Sequence, residues 1–311
     1  MDITCTTDRA ATDRERKEGS MTREGGRTAG AMLEGLLKSI RRALGRAIGE
    51  RMEPEPAARP PDAATFKPLQ GDGSGWVSPV YCESRAVALD AGAAAENRCV
   101  TVVADRPENE IYKVLRTQIL QRTRERGWNT LMVTSALPGE GKSTTAVNLA
   151  LAFARDFNHT VLLVDCDLRR QSIHKLLGFS GGLGLTDCLL DGCGVKDLIV
   201  WPGIEKFTVI SGGRTVQESA ELVASPKMKA IVSEMKARYA DRYVFFDVPP
   251  LLTSADALAF TPLVDGVLLV VQANRTSSRD VQRALDLIPR DKFLGFVLNR
   301  HGNHAGRRAR T

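Results

Sequence analysis

The stretch ALPGEGKST, residues 136–144 of this 311-residue chain, decides the fold class. It follows the apolar run TLMVTS (130–135) and precedes KSTTAVNLALAFARDF, whose apolar residues recur at helical spacing. A glycine-rich turn between a strand and a helix presents consecutive backbone N–H groups at the helix N-terminus, where they can surround a phosphate. The stretch therefore predicts a phosphate-binding loop.

The order of strand, loop and helix is the context that a P-loop requires. Lys142 is expected to bridge β- and γ-phosphate oxygens, and the Ser143 hydroxyl is expected to ligate Mg²⁺. Ala136 stands where the usual pattern has its first glycine, a departure that some P-loop families share. The predicted nucleotide-binding residues are Pro138, Gly139, Glu140, Gly141, Lys142, Ser143 and Thr144.

Short apolar runs alternate with helical stretches from about residue 100 onward. Besides 130–135, the runs that predict strands are 160–167, 207–211, 243–248, 266–272 and 294–299. Strands that are buried on both faces have continuous apolar sequences, as these do. The pattern predicts a three-layer, Rossmann-like α/β domain at 99–300, with a mainly parallel central sheet and helices on both faces.

Carboxylates lie at the carboxyl ends of two of the predicted strands, as a site for magnesium and phosphate requires. The run VLLVDCD ends in Asp165 and Asp167, which point the same way because strand side chains alternate with period two. The run YVFFDV carries Asp247 before two prolines. A single aspartate at such a position is often a turn or cap residue, but three beside a P-loop favour a functional site.

The N-terminal region, residues 1–98, is predicted to be largely disordered, and the basic tail 301–311 likewise. Within the N-terminal region, residues 31–52 have apolar residues at helical spacing with lysine and arginine between them, which predicts a basic amphipathic helix. A Pro-rich linker follows this helix. The helix is expected either to dock on an anionic membrane surface or a partner, or to pack on its own domain.

Composition narrows the classes of function. The chain has 43% hydrophobic residues and a formal net charge of +6, concentrated near the two ends, so no nucleic-acid partner is expected. No apolar run approaches the length of about 18 residues that a membrane span requires. The six cysteines show neither a disulfide nor a metal-binding spacing. These features predict a cytoplasmic protein, and the basic helix at 31–52 is expected to hold it peripherally at the inner face of the plasma membrane.

Together, ALPGEGKST, VLLVDCDLRR and VFFDVPPLL resemble the Walker A, A′ and B motifs of bacterial tyrosine kinases, which act in capsule and exopolysaccharide export. The resemblance runs from about residue 108 to residue 299. It implies an ATP-hydrolysing autokinase that uses ATP and Mg²⁺. By position, the implied metal ligands are Ser143, Asp167 and Asp247, and the implied catalytic residues are Lys142, Asp165, Asp167 and Arg169. Asp165 would orient or deprotonate the acceptor hydroxyl.

The resemblance also implies partners. The stretch EIYKVLRT is similar to a Glu-x-x-Arg-x-x-Arg helix through which the family forms rings, with Glu110, Lys113 and Arg116 at the matching positions. Lysine at the middle position keeps the charge but loses the bidentate fork of arginine. A homo-oligomeric ring is therefore expected, activated by a transmembrane polysaccharide co-polymerase.

The C-terminal tail departs from the family pattern, because it lacks the usual tyrosine cluster. The four tyrosines are Tyr81, Tyr112, Tyr239 and Tyr243, of which Tyr81 and Tyr112 are the candidate acceptors and the other two are expected to be structural. One alternative function is an ATPase switch without kinase output, controlling the export machine through assembly. Another is a positioning ATPase of the MinD type, although Leu137 replaces the signature lysine of that family.

Overall fold

A computed structural model describes residues 84–103, 106–238 and 241–301. The predicted helix at 31–52, the Pro-rich linker, Tyr81, Tyr239 and the tail beyond residue 301 lie outside the described residues. The folded unit begins earlier than the predicted residue 99, because Arg85 and Ala86 already pair with the sheet and Ala94 is fully buried.

Eight strands form one sheet. They are β1 (Arg85–Ala86), β2 (Thr130–Ser135), β3 (Thr160–Asp165), β4 (Val200–Trp201), β5 (Phe207–Ile210), β6 (Arg242–Asp247), β7 (Gly266–Gln272) and β8 (Phe293–Asn299). All six predicted strands are present, with ends shifted by up to two residues. The strands β1 and β4 were not predicted, because a two-residue strand is too short to show an apolar run.

Ten α-helices lie in the described part of the chain. They are α1 (Ala91–Glu96), α2 (Glu108–Thr123), α3 (Lys142–Ala154), α4 (Ile173–Leu176), α5 (Leu185–Asp191), α6 (Val195–Leu198), α7 (Ser219–Val223), α8 (Pro226–Ala237), α9 (Ala255–Phe260) and α10 (Ser278–Asp286). Short 3₁₀ helices occupy Val100–Val102 and Thr261–Leu263.

The strand order is β1-β4-β5-β3-β6-β2-β7-β8, and every pairing is parallel except that of β4 with β5. This arrangement confirms the predicted mainly parallel α/β sheet. Alternate residues of each strand enter separate apolar clusters: Val244 and Phe246 join one, and Phe245 joins the other. The sheet is therefore covered on both faces, as its continuous apolar strands predicted.

The helix after the P-loop is almost completely enclosed. Every residue of α3 from Thr145 to Ala154 is buried, and Phe153 contacts the rings of Tyr243 and Phe245 at centroid distances of 4.9 and 5.0 Å. Helix α2 packs on its outer side. This packing fixes the position of the loop at the carboxyl ends of the central strands, where ligands bind in sheets of this type.

Candidate nucleotide-binding and catalytic site

Two glycines give the P-loop its shape. Gly139 and Gly141 have φ angles of 80° and 93°, in the left-handed region that glycine adopts without strain. A Cβ atom on Gly141 would also clash with Nδ2 of Asn299. Helix α3 begins at the next residue, Lys142, so that the loop leads directly into the helix N-terminus.

Glu140 holds the loop from inside the protein. Its side chain is 2% exposed, and its carboxylate accepts hydrogen bonds from the backbone N–H of Leu137 (2.8 Å) and from the hydroxyl of Thr276. Its carbonyl oxygen accepts from Asn299 Nδ2 at 2.7 Å. Of the predicted nucleotide-binding residues, Glu140 therefore faces away from the cavity, and its side chain positions the loop.

Lys142 lies between two of the predicted carboxylates. Its Nζ atom is 3.1 Å from Asp167 Oδ2 and 3.1 Å from Asp247 Oδ1. Burial alone would lower the pKa of Lys142, but the charges of Asp247, Asp167 and Asp165 outweigh this effect and raise it. The amine is therefore held in its charged form, which is the form that binds phosphate.

Burial makes the Asp165 and Asp247 carboxylates less stable as anions. Asp165 and Asp247 have no solvent exposure. Burial, followed by the charge of Asp247, raises the pKa of Asp165 to about 7. Burial also raises the pKa of Asp247, although Lys142 opposes the shift. Asp165 is further held by backbone N–H groups of Asp167, Ser172 and Ile173, at 3.2, 2.9 and 3.0 Å.

The predicted metal ligands fit Mg²⁺. Asp247 Oδ2 is buried without a hydrogen-bond partner among the described residues. The Asp167 carboxylate and the Ser143 hydroxyl supply two more oxygens near the same amine. No group of three or more His, Cys, Asp or Glu residues in the described ranges would hold a metal ion alone. Such a sparse oxygen set suits Mg²⁺, which takes one or two carboxylates and completes its shell with phosphate and water.

The P-loop, the segment after β3 and the segment after β6 surround a cavity of about 490 Å³. The predicted residues that line it are Pro138, Gly139, Gly141, Lys142, Ser143, Thr144, Asp167 and Arg169. Arg169 donates from Nε to the Ser219 hydroxyl at 2.8 Å. The structure thus brings the predicted loop, Asp167 and Arg169 to one cavity. Asp165, Asp247 and the Glu140 side chain lie behind its surface.

Sequence reasoning missed several lining residues. They are Arg170, Ser172, Leu176, Pro249, Pro250, Thr253, Ser254 and Arg300. Arg170 stands next to Arg169 in the quoted motif, and its backbone N–H donates to Asp167 Oδ1 at 3.0 Å. Its position next to Arg169 could have indicated from the sequence that Arg170 lines the same cavity. Arg300 follows the last strand of the sheet, and nothing local to it indicates that it faces the cavity.

The predicted ring residues on α2 differ in environment. Glu110 and Lys113 form an ion pair of 2.6 Å with side chains 66% and 51% exposed. Arg116 is only 18% exposed. It donates to the carbonyl of Ala152 at 2.7 Å and lies 4.0 Å from Asp156. Arg116 therefore stabilises the C-terminal end of α3, where a cation is favourable, and only the other two residues face outward.

Neither of the two described tyrosines is presented as an acceptor. Tyr112 is partly buried against α3 beside Asn148 and Thr145, and desolvation raises its pKa to about 12. The hydroxyl of Tyr243 is hydrogen-bonded to Thr123 at 2.8 Å. Tyr112, the second candidate acceptor, is disfavoured because this side of α2 packs on α3. Tyr243 is structural, as expected.

The sequence from 128 to 306 matches the ParA family, described as NUBPL iron-transfer P-loop NTPase. The chain is also similar to the tyrosine-protein kinase YwqD of Bacillus subtilis. The two are 35% identical over 193 residues, which cover 61% of this chain and 80% of YwqD. The succinoglycan biosynthesis transport protein ExoP of Rhizobium meliloti is 34% identical over 220 residues, covering 65% of this chain and 26% of ExoP.

Among solved structures, the kinase domain of the Escherichia coli tyrosine kinase ETK superposes with a TM-score of 0.56 at 29% identity, covering 61% of this chain and 74% of that domain. The fold and the site define a ParA-type P-loop NTPase. Within that class, the chain belongs to the bacterial tyrosine kinases, as the resemblance of its three motifs predicted. In the described part of the chain, no helix has the length and apolar character needed to cross a membrane.

Proposed function

We propose that this protein is an ATP-dependent tyrosine autokinase that regulates polymerisation and export of an exopolysaccharide or capsule. The observation that carries the proposal is the position of Lys142, held 3.1 Å from both Asp167 and Asp247 in the wall of a cavity of about 490 Å³. The membership of the family supports the same chemistry. Phosphoryl transfer depends on positioning and on neutralising charge, and these residues supply both.

The proposed role of each residue follows from its position in the site. The backbone of the loop binds the phosphates, and Lys142 exchanges its carboxylate contacts for contacts with β- and γ-oxygens. Ser143, Asp167 and Asp247 would hold Mg²⁺, which would supply charge neutralisation at the transferred phosphoryl group. Arg169, whose Nε donates to the Ser219 hydroxyl, would act on the same negative charge.

Asp165 is proposed to orient or deprotonate the acceptor hydroxyl. A pKa of about 7 suits a group that takes up a proton near neutral pH. Its present contacts are three backbone N–H groups. For this role, binding of nucleotide and acceptor must therefore change the surroundings of Asp165.

Assembly and location belong to the same proposal. Exposed Ile111 and Val114 lie beside the pair of Glu110 and Lys113 on α2, so a second copy would bury apolar surface there together with a charged rim. The name of ExoP points to transport of a polysaccharide, and a transmembrane co-polymerase is the proposed activator. The basic stretch 31–52 would hold the chain at an anionic membrane surface.

The test is to incubate the full chain with Mg²⁺ and ATP, with and without a transmembrane activator of the co-polymerase class, and to map phosphotyrosine by mass spectrometry. We expect phosphate on Tyr81, since the described tyrosines are enclosed. The variant Lys142→Ala should yield none. ATP hydrolysis that continues without phosphotyrosine on any residue would contradict the autokinase proposal.

A second candidate is an ATPase switch that controls the export machine without transferring phosphate to protein. One specific observation favours it: the Tyr243 hydroxyl is hydrogen-bonded to Thr123 and Tyr112 is partly buried against α3, so neither described tyrosine is presented as an acceptor. In that case nucleotide should change the oligomeric state while phosphotyrosine stays absent. The same mass-spectrometry experiment separates the two candidates.

A further inference from the structure

A second cavity lies beside the nucleotide cavity and shares two residues with it. Its volume is about 290 Å³. The lining residues are Arg169, Arg170, Gln171, His174, Lys175, Gly181, Gly182, Gly213 and Thr215. Because Arg169 and Arg170 line both cavities, a group bound in the second cavity would lie next to the phosphate end of the first.

The charged side chains that line this cavity are all basic. It has no carboxylate in its lining, and Arg169, Arg170 and Lys175 form no ion pair with any described residue. A nearby arginine behaves differently: Arg214 is neutralised by Asp187 at 2.8 Å and Asp191 at 2.6 Å. The neighbouring Arg214 is therefore compensated by carboxylates, whereas the three cations that line the cavity are not. A group of cations without carboxylate partners attracts an anionic group.

Three glycines, Gly181, Gly182 and Gly213, line the other side of the cavity. A Cβ atom on Gly182 would meet the Arg85 guanidinium at 2.7 Å, so at this position glycine allows the close approach of a side chain from outside the lining. His174 contributes a polar edge, since its Nδ1 is buried without a hydrogen-bond partner in the described ranges. Burial and the neighbouring Lys175 lower the pKa of His174. At neutral pH, Lys175 and the two arginines thus supply the charge, and His174 supplies a neutral hydrogen-bonding group.

We propose that this cavity binds an acidic side chain of the phosphoacceptor polypeptide, next to the tyrosine that receives phosphate. The proposal rests on the proposed kinase function and names its substrate class: tyrosines flanked by Asp or Glu. The volume of about 290 Å³ lies at the lower end of the range of about 300–1,000 Å³ that small-molecule sites occupy, and it is smaller than the nucleotide cavity, so it suits a single side chain. The shared arginine wall puts the flanking residue at the side from which the acceptor approaches the transferred phosphate.

The test measures binding of two fluorescein-labelled synthetic peptides to the full chain with Mg²⁺ and ADP. One peptide has Asp and Glu around a tyrosine, and the other has Asn and Gln at the same positions. We expect the acidic peptide to bind at least about tenfold more tightly, with a preference that shrinks as salt rises. Lys175→Glu should abolish the preference, and Lys175→Gln should reduce it, because Lys175 lines only this cavity.

A second variant and a control keep the test selective. Gly181→Asp places a carboxylate in the cavity, and its Cβ would meet the His174 ring at an ordinary 3.7 Å, so we expect the same loss. The control is Lys229→Glu, which removes an exposed lysine on α8 that lines neither cavity. Affinity for ADP should be unchanged in all of these variants, which shows that the nucleotide cavity is intact.

With ATP, Lys175→Glu should raise the KM for the acidic peptide at unchanged kcat. Equal affinity of the wild-type chain for the two peptides would overturn the docking proposal, as would an unaltered preference in both Lys175→Glu and Gly181→Asp. Selective peptide binding without transfer to any tyrosine would instead contradict the kinase function, and with it the acceptor role of the bound peptide. The two failures are therefore distinguishable.

Discussion

Asp165 and Asp247 are register partners at the carboxyl ends of the adjacent parallel strands β3 and β6, and neither side chain is exposed to solvent. Two carboxylates in such proximity repel each other and lose hydration, so at least one resists ionisation. Lys142 offsets part of this cost through its contact with Asp247. The site thus concentrates negative charge that a metal ion would relieve, at the expense of stability.

The first prediction concerns Asp247→Asn in the metal-free protein. The amide keeps an oxygen for Lys142 and removes a carboxylate whose pKa is raised by burial. A raised carboxyl pKa means that its stabilising contribution is present below the unfolded value and is lost as the pH rises through the folded value. The variant should therefore melt at a higher temperature than wild type at pH 8, and the two should converge below about pH 4.

Each unit of raised pKa corresponds to about 1.4 kcal/mol, or roughly 3–6 °C in Tm for a domain of this size. Calorimetry across this pH range checks the prediction. The same variant should bind nucleotide with little dependence on Mg²⁺. A lower Tm at pH 8, or an undiminished Mg²⁺ effect, would contradict the role assigned to Asp247.

The second prediction concerns Lys142→Ala, which should abolish ATP hydrolysis. From the sequence alone the substitution is expected to leave the fold unaffected, because the amine is assigned to a ligand. The structure changes this expectation, since Lys142 contacts the buried carboxylates Asp167 and Asp247. Its raised pKa means that its stabilising contribution persists through neutral pH and is lost only as the pH rises through the folded value.

We therefore expect Lys142→Ala to have a lower Tm than wild type at pH 7.5. The difference in Tm should shrink at acidic pH, where the carboxylates are protonated. The double variant Lys142→Ala with Asp247→Asn is the matched control, because it removes both charges and should regain part of the lost stability. A Tm equal to that of wild type at pH 7.5 would show that the amine and the carboxylates are not coupled in the free protein.

The third prediction concerns assembly through α2. Charge reversal at Arg116 would disturb the contact with Ala152 and lower the stability of the monomer, so it is a poor probe of a ring. Exchanging Glu110→Lys and Lys113→Glu together keeps an ion pair within the helix and reverses the charges offered to a neighbour. We expect this exchange to reduce the oligomer mass in light scattering with ATP and activator present, at nearly unchanged Tm. A wild-type chain that stays monomeric under these conditions would refute the ring.

The fourth prediction concerns the basic stretch 31–52. Each basic residue near an anionic leaflet contributes about 1 kcal/mol, which in sum supports reversible binding. The full chain should sediment with anionic vesicles at low salt and be released as salt rises, whereas a chain lacking residues 1–60 should stay in the supernatant. Neutral vesicles serve as the control. If the full chain does not sediment with anionic vesicles at low salt, the stretch packs on its own domain or on a protein partner instead.

Most of the fold was predictable because each central strand has a local sequence signal. The strands β2, β3, β6 and β7 are continuous apolar runs, and such runs occur where both faces of a sheet are covered. The short strands β1 and β4 were not predictable, since their pairing depends on neighbours from elsewhere in the chain. The start of the folded unit was misplaced for the same reason.

The sequence by itself determined the phosphate-binding loop, the central strands and the aspartates that end two of them, because each depends on a pattern within a few residues. Only the tertiary structure decided which way the side chains of Glu140 and Arg116 point, since both are satisfied by partners distant in the chain. The basic cavity beside Lys175 also arises from separate segments. Local periodicity records whether a side chain is buried, whereas strand order and helix packing decide which group it meets.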